Sequence, residues 1–224
     1  MTTTRSPSHF WQCATKRTAI RSTVRRMLAV TALLLWTARV ATAATFTEAG
    51  AQLNLDLNTA GESVVIVSNG ASYTLTVAGS SWSGTDSANV AGNGTATLTV
   101  TAAGLAAFDT ITFTDSATGT AATFIDSGAN TYGDTFNLTL DDATAGTITF
   151  AGASSFTGSA SITARTSRNL VFASGSSLDT LNGNILLVAN QQAVATSGNF
   201  IGILFDAATV EATGTGAVTV QGRG

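Results

Sequence analysis

Short runs in which apolar and polar residues alternate recur along most of the chain. They include VVIV (64–67), YTLTV (73–77), ATLTV (96–100), TITF (110–113), ATFI (122–125), TFNLTL (135–140), TITF (147–150), NLVF (169–172), ILLV (185–188), FIGILF (200–205) and AVTV (217–220). Each has the length of a strand, is rich in β-branched and aromatic residues, and is bounded by Gly, Asn, Asp or Ser. Only LAAF (105–108) suggests a turn of helix. The pattern predicts an all-β domain.

The runs also recur at a spacing. Leu75 and Leu98, Val77 and Val100, Phe113 and Phe136, Ile125 and Ile148, Ile148 and Val171, and Ile162 and Ile185 all stand 23 residues apart. A second step of 14 residues links Ile111 to Ile125, Ile148 to Ile162 and Val171 to Ile185. Stacked coils of short strands would produce such a lattice, with apolar residues falling into columns about 4.8 Å apart. The expectation is a parallel β-helix (a β-solenoid) of roughly eight coils, each of about 23 residues. The alternative is a β-sandwich built from hairpins, for which VVIVSNGASYTLTV (64–77) is a good candidate, with Asn69-Gly70 at its turn.

Composition divides the chain in two. Residues 1–43 hold Lys16 and six of the nine arginines, with MLAVTALLLW (27–36) as an apolar run and Ala41-Thr42-Ala43 after it. A basic region, an apolar region and a small-x-small site in that order predict a signal peptide over 1–43 with an extended basic n-region. The apolar run is short for a membrane span and Arg39 follows it, so no stable span is expected after cleavage. Arg25-Arg26 has a faint likeness to a twin-arginine signal, but its flanks favour ordinary secretion.

From Ala44 onward three basic residues face thirteen acidic ones, ten net negative charges. Such a surface repels phosphate backbones, and nucleic acid is not an expected partner. Cys13 would leave with the leader, so the domain over 44–224 would be stabilised by strand pairing and packing, without disulfides. Proline, which removes a ladder donor, is missing from 44–224.

The stretch SGSSLDTLNGNILLVANQQAVATSGNFIGILFDAATVEATGTGAVTVQGRG (174–224) resembles the repeats of large secreted β-strand-repeat proteins of planctomycete bacteria. These are similar in style to filamentous haemagglutinin and autotransporter passenger domains. LNGNILLVAN (181–190), ATVEATGTGAVTV (208–220) and the closing QGRG carry the likeness. The resemblance implies a right-handed parallel β-helix, export, and residence at the cell surface or outside the cell. Members of that group are usually much longer and often end in a membrane barrel or an anchoring signal. On that pattern, either 44–224 is a fragment of a longer architecture, or its last coil is an exposed edge, an open end through which copies could associate.

Residues 44–224 contain no His, Cys or Lys. A Ser-His-Asp triad, a cysteine nucleophile, a Schiff base and a thiolate or imidazole metal site are therefore excluded there. Acid–base chemistry would fall to carboxylates. Asp141-Asp142 is the one adjacent acidic pair, but neighbours in an extended segment point to opposite sides, which suits a turn. Asp109, Asp115, Asp126 and Asp134 recur near strand ends, where Asx turns are the default reading. Calcium is a remote candidate, since neither the EF-hand loop nor the GGxGxD nonapeptide is present.

Arg165 and Arg168 read as surface residues pairing with nearby Asp, and Trp82 as packing over the end of the first coils. No catalytic, cofactor-binding or metal-binding residue is assigned. The sequence points to a secreted or cell-surface structural or adhesin-like module without catalytic activity, with the periplasm as another destination. Its partners would be extracellular matrix, glycan or cell-surface molecules, met by weak contacts repeated along Thr/Ser/Asn-rich faces. The alternative is a carbohydrate-active β-helix enzyme, a polysaccharide lyase or hydrolase using Asp residues.

Overall fold

A computed structural model describes residues 43–59, 61–116, 123–141 and 146–224. The leader expected over 1–43 lies outside them except for Ala43, which opens the first strand. The strands are β1 (Ala43–Ala49), β2 (Gln52–Leu57), β3 (Ser63–Ser68), β4 (Tyr73–Ala78), β5 (Ser81–Ser83), β6 (Val90–Ala91) and β7 (Thr97–Val100). Helix α1 (Ala102–Ala107) follows. Then come β8 (Thr110–Asp115), β9 (Thr123–Asp126), β10 (Ala129–Tyr132), β11 (Thr135–Leu140), β12 (Thr147–Phe150), β13 (Ala153–Phe156) and β14 (Ile162–Thr166). The last are β15 (Asn169–Phe172), β16 (Ser177–Thr180), β17 (Ile185–Ala189), β18 (Ile203–Phe205), β19 (Thr209–Ala212) and β20 (Val218–Gly222).

They form three sheets. One runs β20-β17-β14-β11-β8-β2-β1-β5, a second runs β18-β15-β12-β9-β3-β4-β7-β6, and a third, of four strands, runs β10-β13-β16-β19. From β8 onward every pairing is parallel, and each strand lies beside the third strand along the chain. Before β8 the pairs β1–β2, β3–β4, β4–β7 and β6–β7 are antiparallel.

This overturns the expected right-handed parallel β-helix (β-solenoid) of roughly eight coils. The chain is all-β, but in three sheets of eight, eight and four strands, two of them mixed and one parallel. The β-sandwich alternative fails too, because there are three sheets and most pairs are parallel. The physical reason lies in the first strands. Tight turns there return the chain on itself, so neighbours in sequence pair directly. Gly50, at φ +60°, turns β1 into β2, and the Asn69 side chain accepts hydrogen bonds from the Ala71 and Ser72 amides (2.9 and 2.8 Å) to turn β3 into β4. Leu75 and Leu98 do meet, but as antiparallel partners and not as successive coils.

The core is built from inward-facing positions that register across neighbouring strands. In the first sheet Leu53, Ile111, Phe136, Ile162 and Ile185 occupy one such rank and end at Val218. In the second, Ile66, Asp126, Phe150 and Phe172 end at Phe205. The Phe150 and Phe172 rings stack at 4.8 Å, as do Phe172 and Phe205. All of these are buried except the terminal members Val218 and Phe205, 41% and 42% exposed. Close approach also demands glycine: a Cβ at Gly183 would lie 1.8 Å from the Ala160 carbonyl oxygen.

Candidate functional site

Two arrangements of polar side chains stand out, one buried and one on the surface. The buried one interrupts the apolar core. Asp126 occupies a core position between Ile66 and Phe150, and Asn130 and Ser154 hold the facing rank of the third sheet. Burying a carboxylate is tolerable only when donors surround it. Asp126 accepts from the Ser154 hydroxyl (2.6 Å), the Tyr132 hydroxyl (3.0 Å) and the Asn130 amide. Burial pushes its carboxyl above the usual range, and those three donors offset only part of the shift.

The network continues to the hairpin of β3 and β4. The Ser68 amide donates to Asn130 Oδ1 (2.6 Å), and the Ser68 hydroxyl donates to the Thr131 carbonyl (3.0 Å). Tyr73 donates its hydroxyl to Asp134 Oδ2 (2.7 Å) and accepts from the Gly133 amide (3.2 Å). Burial first, then the Asp134 hydrogen bond and charge, push the Tyr73 phenol up. Tyr132 rises through burial and the Asp126 charge. The Asp134 carboxyl is also raised, chiefly by burial and further by Asp109, with the Tyr73 hydrogen bond opposing. Tyr73, Tyr132, Phe136 and Phe156 close over this region with ring centroids 4.5 to 5.9 Å apart.

Such a cluster brings two carboxyls and two phenols together, as acid–base chemistry would ask. Yet Asp126, Tyr132, Ser154 and Asp134 are at most 3% exposed. The geometry makes it a clasp: it holds the β3–β4 hairpin over β10, the strand at which the third sheet begins.

The surface arrangement is the outward face of the first sheet. Gln52, Thr110 and Thr135 register side by side. Beside them run Asn54, Thr112, Asn137 and Thr163, and then Asp56, Thr114, Thr139 and Arg165. Alternation places these side chains outward while Leu, Ile and Phe between them face the core. Neighbours across strands are about 4.8 Å apart and neighbours along a strand about 6.7 Å. The result is a grid of hydroxyl and amide groups, charged only at Asp56 and Arg165.

The remaining candidates are scattered. Asp142 lies outside the described residues, and Asp141 directly follows β11. Asp109 is exposed between α1 and β8, and Asp115 is buried at the end of β8. Thus Asp126 and Asp134 depart from the Asx-turn expectation: they belong to the core. Arg165 sits on the grid, whereas Arg168 lies over the Phe200 ring at 5.0 Å. Trp82 is fully buried, and its indole donates to the Leu75 carbonyl (3.1 Å), which withdraws it from any sugar-stacking role.

A cleft of about 340 Å³ lies beside β1 and the turn after β5. On its wall Glu48 accepts from the Ser87 hydroxyl and the Asn89 amide. Among the described residues no group of three His, Cys, Asp or Glu side chains could hold a metal ion, and no helix is long and apolar enough to cross a membrane. Asp126 had one sequence signal: in ATFID it continues the inward parity set by Phe124. The chain matches no protein-family model, no curated protein and no solved structure.

Proposed function

We propose that the chain is a secreted or cell-surface structural, adhesin-like module that acts by presentation and not by catalysis. The observation that carries this reading is the outward face of the first sheet, where hydroxyl and amide side chains repeat at strand spacing on a backbone fixed by parallel ladders. Each such group offers one weak hydrogen bond to a glycan or matrix polymer. A regular array multiplies them, because every contact raises the effective concentration of the next. The signal-like leader fits residence outside the cytoplasm.

Binding of the purified full chain to immobilised polysaccharides and to bacterial or host cell surfaces tests the reading. Substituting Thr112→Ala together with Asn137→Ala should weaken capture at least tenfold while the far-UV spectrum stays unchanged. Equal capture of both proteins, failure of the unaltered chain to bind any surface, or release of reducing or unsaturated sugar ends would overturn it.

A further inference from the structure

One corner of the domain breaks the regularity of its layers. Between β14 and β15 the chain turns through Ser167 and Arg168 alone, but between β17 and β18, one layer on, it takes Asn190 to Gly202 to make the same turn. The longer corner is pinned to the shorter one. Asn190, at φ +55°, accepts from the Thr196 amide (2.7 Å), and Gln192 Nε2 donates to the Ser167 carbonyl (3.0 Å). Further along the same corner Phe200 lays its ring against Arg168, with the guanidinium carbon 5.0 Å from the ring centroid.

Arg168 is thus held in place and yet unpartnered. Its sequence context suggests a pair with a nearby aspartate, but no described carboxylate forms an ion pair with it. Asp141 stands one layer back, beyond the Leu140 carbonyl that accepts from the Ser167 amide (3.0 Å), and is not joined to it either. Nε is shut away from solvent without a hydrogen bond, and the Phe200 ring covers one face of the guanidinium. What remains is the terminal fork of Nη1 and Nη2, which also bonds to none of the described residues. Packing has already removed much of the freedom that an arginine gives up on binding. A fixed planar fork matches the two oxygens of a carboxylate. Charge points the same way. Residues 43–224 hold thirteen acids and only three cations, and all three gather here: Arg165 in β14, Arg168 after it, and Arg223, whose amide donates to the Ala189 carbonyl at the end of β17 (3.1 Å). Arg168 itself precedes β15, a strand paired on both sides.

Resting on the reading that this chain meets glycans, we propose that Arg168 binds the carboxylate of a uronic-acid unit, which makes the partner an acidic polysaccharide. The carboxylate lies in the guanidinium plane across Nη1 and Nη2. Hydroxyls of neighbouring units meet the grid, whose rank of Asp56, Thr114 and Thr139 ends at Arg165, three residues before the anchor.

Heteronuclear magnetic resonance of the full chain tests this through the Arg168 Nε–H signal, assigned from its own backbone amide. Titration with trigalacturonate should move that signal to saturation. The methyl ester of the same trisaccharide, neutral and otherwise alike, should leave it in place. By calorimetry Arg168→Lys, which keeps the charge and loses the fork, should bind the acid about tenfold more weakly. An unmoved signal, equal movement by the ester, equal movement by inorganic phosphate at the same concentration, or unchanged affinity in Arg168→Lys would each overturn the proposal. Should the Arg168→Lys chain not fold, the comparison of acid with ester on the unaltered chain decides. A trisaccharide reaches this corner without spanning the grid. Failure here therefore leaves capture of long polymers standing, and loss of that capture in the Thr112→Ala and Asn137→Ala chain leaves the anchor standing.

Discussion

At the end that holds the antiparallel hairpins, the sheets run down to strands of three and two residues, Trp82 is sealed beneath them, and Ser68 bonds to Asn130 and Thr131 of β10. At the other end strands of three, four and five residues stop, with Phe205, Val218 and Val220 partly exposed. The two ends start from the same difficulty, since every sheet must have a last strand with unpaired backbone groups. One solves it within the chain, by local turns and a buried hydrogen-bond network. At the other, β18, β19 and β20 are each paired on one side only among the described residues. What distinguishes them is tight turn chemistry, Gly50 and Asn69-Gly70, which folds sequence neighbours back across the edge.

The sharpest way to break this comparison is to truncate one aromatic residue at each end. Trp82→Ala removes a fully buried ring and should cost about 3–5 kcal/mol. Phe205→Ala, at a half-exposed position, should cost less than about 1 kcal/mol. Equal shifts in the urea midpoint would show that the two ends are not different in kind.

A smaller effect is expected at the clasp. Tyr73→Phe keeps the ring but leaves Asp134 and the Gly133 amide without their partner, a cost of about 1–3 kcal/mol. A hydroxyl exchange at the open end, Thr219→Val, should stay within about 0.5 kcal/mol. A Tyr73→Phe midpoint as high as that of Thr219→Val would deny the clasp any stabilising role.

The smallest effect is a pH dependence confined to the finished end. Burial raises the Asp126 and Asp134 carboxyls in the folded chain, so the folded state takes up protons there before the unfolded state does. Their contribution to stability is therefore absent at high pH and grows as pH falls through the raised values toward an unfolded pKa of about 4. The unaltered chain should gain in denaturant midpoint on acidification from pH 7, and Asp126→Asn should gain less. Parallel curves would remove Asp126 from the account.

Alternation was enough to read the class and eleven of the strands, but it missed β1, β2, β5, β6, β14 and the whole third sheet, where Asn130, Ser154 and Thr180 take inward positions that an apolar pattern would have marked. Register was less legible. Ile162 and Ile185 are true partners at 23 residues, but Phe113 pairs with Leu138 rather than Phe136. Ile125 faces outward beside Thr149, while the neighbouring Phe124 meets Ile148. A slip of one residue exchanges faces, and corner lengths that vary from layer to layer make such slips invisible to a fixed period. Direction was legible at the Asn69-Gly70 turn, where β3 and β4 pair antiparallel as the hairpin reading expects, but not from the spacing of the runs. Leu75 and Leu98 satisfy the spacing whether their strands run parallel or antiparallel. The buried carboxylate escaped for a related reason: Asp126 ends a run as a turn residue would, and only its partners across the sheet show that it points inward.

The join between the two halves of the domain has a consequence for how the chain reaches this structure. From β8 to β17 strands pair with partners 22 to 26 residues away, but β2 meets β8 at a separation of 58 and β3 meets β9 at 60. Closing the longer loop costs about 0.8 kcal/mol more chain entropy than closing one of 24 residues. On loop closure alone, the hairpins and the parallel pairs from β8 onward are expected to form before the two parts join, so substitutions at the seam between β2 and β8 should slow refolding more than equally destabilising ones elsewhere, as stopped-flow refolding would read.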